Sequence, residues 1–273
     1  MLDPLTARLL KNAGDRGPVV LMYHSVTPGG LTPQWRWAVS QRRFCEQMDL
    51  LCAFGWRTLC LRDADKIADI PLRGVIITFD DGYADNFAAF EELARRSMRA
   101  TWFVVSRDIG KQSGWQDAGQ KTRPMLDRSQ LVEMHSAAME IGAHGRTHTR
   151  LTKLDDLSLG GEVAGSKEDI EGMLGIEVDS FAYPYGDFDD RTVAVVRNAG
   201  YRKACITRPG WLNSDPDMLR IRRISIFAQD NLSAFARKLA LADNDVRWRR
   251  MLRYGARRFA AVLGSLGSDS LRR

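Results

Sequence analysis

The stretch GVIITFDDGYADNF, Gly74 to Phe87, decides how the chain reads. Val75, Ile76, Ile77 and Thr78 are all β-branched, and the run is short and bounded by glycine, which predicts a buried strand at 74–79. That strand ends in two adjacent carboxylates, Asp80 and Asp81, followed at once by Gly82. Neighbouring like charges at the end of a buried strand are costly unless each meets a counter-charge. Gly82 permits a tight turn after them, and a helical pattern from about Asp85 to Ser97 follows.

The same alternation runs through the rest of the chain. PVVLMY (18–23), ATWFVV (100–105), EIGAH (140–144), SFAYP (180–184), YRKACI (201–206) and LRIRRISIF (219–227) read as strands. Helical patterns cover 40–55, 128–139, 160–173 and 189–199, and Asp127 with Gln130 resembles a capping box. Repeated strand–helix alternation predicts an α/β fold with a parallel sheet, open or closed. The irregular stretch 106–126 reads as a loop over one end.

With 273 residues, 44% hydrophobic and 27% charged, the chain has ample material for one large core. A net charge of +6 suits an anionic partner. The four cysteines form no CxxC pair and no metal-type spacing, and so read as reduced thiols. No stretch is long enough to span a bilayer, and MLDPLTARLLKNAGDRG lacks the plan of a secretory signal. The expectation is a cytoplasmic chain, peripheral to the inner membrane surface, unless a leader has been removed.

In parallel barrels the chemistry gathers where strands end. Those positions carry His24, Asp80 and Asp81, His144 and His148, and Tyr185. His144 and His148 are four residues apart, and on a helical turn that spacing points both rings the same way. Two histidines and one carboxylate make a three-ligand metal site with open positions.

TFDDG, HxxxH and YPYG in this order resemble the polysaccharide deacetylase family, the NodB homology or carbohydrate esterase family 4 domain. The similarity extends from VLMYHSV (20–26) to LRRISI (219–226). The resemblance implies a distorted (β/α) barrel, here with a C-terminal basic helical extension, and metal-dependent removal of acetyl groups from N-acetylated sugars of a glycan. It implies one divalent metal ion, zinc first, with cobalt, nickel or iron as alternatives. By the same resemblance Asp80 is the general base, Asp81, His144 and His148 hold the metal, and Pro184 and Tyr185 form the substrate groove.

Three departures stand out. Gly145 replaces the Ser or Thr that usually follows the first histidine, with Thr147 or Thr149 as compensation. Ala182 stands where an Arg usually braces the catalytic Asp. Arg222 and Arg223 are the candidate replacements, and strand alternation turns only one of them inward. Resemblance to family branches that lack the Arg and carry an Arg-Ile pair here implies Arg223. Many family members carry a late histidine as general acid, but no histidine follows His148. His24, at a strand end, is implied as the acid by resemblance to branches that place it there. His135 reads as structural or surface.

Loop tryptophans Trp35, Trp37, Trp115 and Trp211 are candidate sugar platforms. The expected division is a lead (1–17), the deacetylase-like domain (18–230) and a basic tail (231–273). Within the tail, 246–267 reads as an amphipathic helix that could touch an anionic membrane, consistent with a lipid-linked glycan. No nucleic-acid motif is present. An O-acetyl esterase on the same site, and a silent glycan-binding module, are the alternative readings.

Overall fold

The computed structural model describes residues 2–13, 17–66, 73–115 and 122–247. Its central sheet is wholly parallel, in the order β10-β1-β5-β6-β7-β8-β9. The strands are β1 (Val19–Tyr23), β5 (Gly74–Phe79), β6 (Thr101–Val104), β7 (Glu140–Ala143), β8 (Ser180–Ala182), β9 (Lys203–Cys205) and β10 (Ile224–Ser225). β4 (Arg57–Leu59) pairs with the first half of β5, and β6 takes over the same edge at Thr78 and Phe79. β2 (Ser25–Thr27) and β3 (Ala38–Ser40) form a separate parallel pair that holds the loop carrying Trp35 and Trp37.

The two edges of this curled sheet nearly meet. Ile221 bridges to Cys205 of β9, and three residues later Ile224 pairs with Leu21 of β1. One short segment therefore touches both edges, giving the distorted (β/α) barrel that the sequence suggested. The strand expected over 219–227 shrinks to Ile224–Ser225 because the segment is shared between two partners and bends between them.

Alternation sorts the side chains into two layers. Val19, Leu21, Tyr23, Ile77 and Phe79 face outward into the main apolar cluster with Phe44, Met48 and Leu93 from the helices. Val20, Ile76, Phe103, Ala182, Cys205 and Ile221 face inward and fill the barrel. Each such fully buried apolar side chain stabilises by about 1.5–3 kcal/mol. Gly142 of β7 is required there: a Cβ would lie 2.7 Å from Ser180 Oγ and 2.8 Å from the Phe103 ring. The four thiols are free, and burial pushes those of Cys60 and Cys205 up to about 12.

Helices connect the strands on the outside: α2 (Gln41–Ala53), α3 (Asn86–Arg95), α4 (Arg128–Ser136), α5 (Asp156–Leu174) and α6 (Asp190–Asn198). The Asp127–Gln130 capping box forms as expected, and a second, Asp189–Thr192, opens α6. α5 starts four residues earlier than the pattern suggested. Asp155 caps it through Ser158 N at 2.8 Å, and Gly160 and Gly161 are tolerated inside it.

Two further helices, α1 (Pro4–Lys11) and α7 (Leu232–Leu241), pack on one another, and Leu10, Phe235 and Leu239 belong to the main apolar cluster. The expected 246–267 helix falls, from residue 248 onward, outside the described residues. Among the described residues no helix is long and apolar enough to cross a membrane.

Candidate active site

Along β5 the inward positions are Ile76, Thr78 and then, just past the strand, Asp80. Asp80 is 2% exposed, and Arg223, fully buried, meets it two-pronged. Nη1 donates to Oδ1 at 2.5 Å and Nη2 to Oδ2 at 2.7 Å. Nη1 also donates to Thr78 Oγ1 at 3.1 Å and Nε to the Ile206 carbonyl at 3.2 Å, so the guanidinium is fixed on every side. Burial pushes the Asp80 carboxyl up, but Arg223, together with the nearby His144 and His24, holds the group below its ordinary value. Arg222 turns the other way and donates to the Pro209 carbonyl.

Asp81 adopts φ 73°, which re-aims its side chain away from that of Asp80. Gly82 follows at φ 83°, and a Cβ there would lie 2.9 Å from Val104 Cγ1. Asp81 Oδ1 lies 3.5 Å from His144 Nε2 and 3.2 Å from His148 Nε2, and this buried oxygen accepts no hydrogen bond. His144 Nδ1 donates to the Ala182 carbonyl at 2.7 Å, which leaves the Nε2 lone pair directed at Asp81. The three donor atoms lie within 4.8 Å of one another. A buried carboxylate oxygen facing two imidazole nitrogens is a donor set that fits a divalent cation.

The histidines do not share a helical turn, contrary to the spacing argument. His144 is the first residue after β7, and the loop beyond it bends through Gly145 at φ 77° and His148 at φ 58°. These two left-handed bends bring the rings together, with centroids 5.0 Å apart. Glu162 of α5 braces the loop by accepting from Arg146 N (2.9 Å), Thr147 N (3.1 Å) and Thr147 Oγ1 (2.7 Å). Thr147 thus supplies the hydroxyl that Gly145 lacks. A Cβ at Gly145 would sit 3.2 Å from Glu162 Oε2.

His24, Asp80, Asp81, His144, His148 and Tyr185 line one cavity of about 360 Å³ at the carboxyl ends of the strands. His24 packs against Trp37 at 4.5 Å, and burial lowers its pKa against the pull of Asp81 and Asp80. Tyr185, at φ 60°, and Trp115 lie 4.4 and 4.3 Å from the His148 ring. Arg223 lies beneath the cavity rather than on its wall, and Pro184 is buried behind Gly145. Of the tryptophans, Trp35 and Trp37 line the cavity, whereas Trp211 packs on the main apolar cluster. His135 faces a separate pocket beside Glu140 and Lys203, at the other end of the barrel. Arg150, Thr207 and Glu162 were missed. They stand in loops or on a helix, where no periodicity marks them.

A parallel barrel with carboxylates and imidazoles converging at its carboxyl rim defines a hydrolase-type site. The polysaccharide deacetylase family profile matches residues 69–204, and the chain belongs to that family. YxkH of Bacillus subtilis, a curated relative assigned to the polysaccharide deacetylases, is 28% identical over 221 residues, 79% of this chain and 74% of that protein. A polysaccharide deacetylase structure from Bacillus cereus is 26% identical with a TM-score of 0.70, covering 82% of this chain and 69% of the other. IcaB from Ammonifex degensii is 25% identical with a TM-score of 0.67, covering 82% and 97%. The class of activity is therefore hydrolytic deacetylation of a glycan.

Proposed function

We propose that the chain removes N-acetyl groups from amino-sugar residues of a glycan, using one divalent metal ion, zinc first. The observation that carries this is the pairing of two differently matched carboxylates: Asp80 on Arg223, and Asp81 on His144 and His148. Asp81, His144 and His148 would hold the ion, which supplies Lewis acidity and a water of lowered pKa.

The remaining work falls to the chain itself. Asp80, kept ionised by Arg223, accepts the water's proton. The backbone at Tyr185 is the candidate oxyanion donor. His24 is the candidate proton donor to the leaving amine. Trp35, Trp37 and Tyr185 offer flat apolar faces for the sugar ring. A lipid-linked substrate at a membrane surface is the setting that the basic tail suggests.

Acetate release from N-acetylglucosamine oligomers tests this reading. It should vanish with chelator and with Asp80→Asn. Release from O-acetylated sugars alone would favour the esterase reading, and glycan binding without any release would favour a silent module.

A further inference from the structure

Three arginines lie over aromatic rings that line the cavity. Arg150 Cζ is 4.4 Å from the Tyr185 centroid, Arg123 Cζ 4.7 Å from Trp35, and Arg36 Cζ 4.9 Å from Trp37. Arg150 and Arg36 are exposed and pair with no carboxylate among the described residues. Arg150 itself lines the cavity.

Among the described residues, the carboxylates in that lining are Asp80 and Asp81, each 2% exposed on the floor. Asp80 is answered by Arg223, and Asp81 faces the two imidazoles as part of the candidate cation site. Among the described residues, the lining thus carries one exposed cation, Arg150, and no exposed carboxylate. A guanidinium over a ring can still offer its N–H groups two-pronged to a carboxylate or phosphate.

We infer that the substrate is an anionic glycan, carrying a carboxylate or phosphate beside the acetylated sugar, with Arg150 as the residue that selects it. This rests on the deacetylase reading. A neutral polymer of acetylated amino sugars suits the mouth poorly. Each acetyl group removed leaves an ammonium, and a growing row of ammonium groups would be repelled by the same arginines. An anionic polymer keeps a negative partner for Arg150 throughout the reaction.

The test compares three substrates with the full chain. One is a neutral N-acetylglucosamine oligomer, the second alternates N-acetylglucosamine with a uronic acid, and the third is an N-acetylglucosamine oligomer bearing phosphate. Two ratios are read, anionic over neutral: kcat/KM for acetate release, and affinity from tryptophan fluorescence. At low salt the ratio should reach about tenfold for the carboxylate arm, the phosphate arm or both, and should narrow at high salt.

Arg150→Gln should bring the ratio toward one whatever it does to absolute rates, and Arg150→Lys should restore part of it. The arm that gains identifies the anion. A wild-type ratio near one, or a ratio unmoved by Arg150→Gln, overturns the inference. Acetate from none of the three would overturn the deacetylase reading instead, and the affinity ratio would then decide the inference by itself.

Discussion

Arg223 meets Asp80 across 143 positions of sequence, with both guanidinium edge nitrogens on both carboxylate oxygens, at 2.5 and 2.7 Å. Both partners are out of water, so removing one strands the other. Arg223→Met should cost about 3–5 kcal/mol of stability. Pairing it with Asp80→Asn should return much of that, since the orphaned charge disappears. Thermal melting of the two single variants and the double variant checks this, and a double variant no more stable than Arg223→Met would contradict it.

Metal removal should be visible in stability as well as in rate. With free zinc at roughly a hundredfold excess over its dissociation constant, the folded state gains about 2.7 kcal/mol. The melting temperature should fall with chelator and recover with added zinc. In His148→Ala it should respond to neither.

Glu162 touches the histidine loop from α5 and would not touch the ion. Glu162→Ala removes the acceptor for three donors of Arg146 and Thr147. Zinc affinity measured by competition with a chromogenic chelator should drop by about 10- to 100-fold, as for other residues that orient metal ligands. The fold itself should hold, as read by far-ultraviolet circular dichroism.

Asp85 provides a pH signature. Its carboxylate accepts from Ser25 Oγ, but its Oδ1 is buried without a partner, and burial raises its pKa from 3.8 to about 6. A carboxyl raised on folding costs nothing at low pH, where it is protonated in both states. The cost grows as pH rises from about 4 to about 6 and is then constant, at no more than about 3 kcal/mol. Asp85→Asn should therefore gain in melting temperature relative to wild type at pH 8 but not at pH 4. An equal difference at both values would remove the titration from the account.

Much of the architecture was legible because strands and helices announce themselves by period, and TFDDG, HxxxH and YPYG stand at strand ends. Strand alternation says only that one of Arg222 and Arg223 faces inward. The family resemblance of the Arg223–Ile224 pair singled out Arg223, and Arg223 is the one that meets Asp80 inside the barrel. The histidine pair was anticipated for the wrong physical reason. Its convergence depends on two left-handed residues and on Glu162, and backbone sign does not show in spacing. Arg150 and the α1–α7 pairing were silent for a similar reason: each acts through neighbours far away in sequence.

The sheet is closed by a strand of only two residues, Ile224–Ser225, which stands immediately after Arg223. α7 fastens it from outside: buried Lys238 donates to the Ser225 carbonyl at 2.8 Å, and Asn244 Oδ1 accepts from Ser225 N. The smallest opening of this seam, a local unfolding far short of global melting, would carry Arg223 away and leave Asp80 without its counter-ion. Charge balance at the site thus depends on residues after the barrel being docked. A chain cut before α7 should keep most of its hydrogen-exchange protection in β5 to β8 and lose its deacetylating power first.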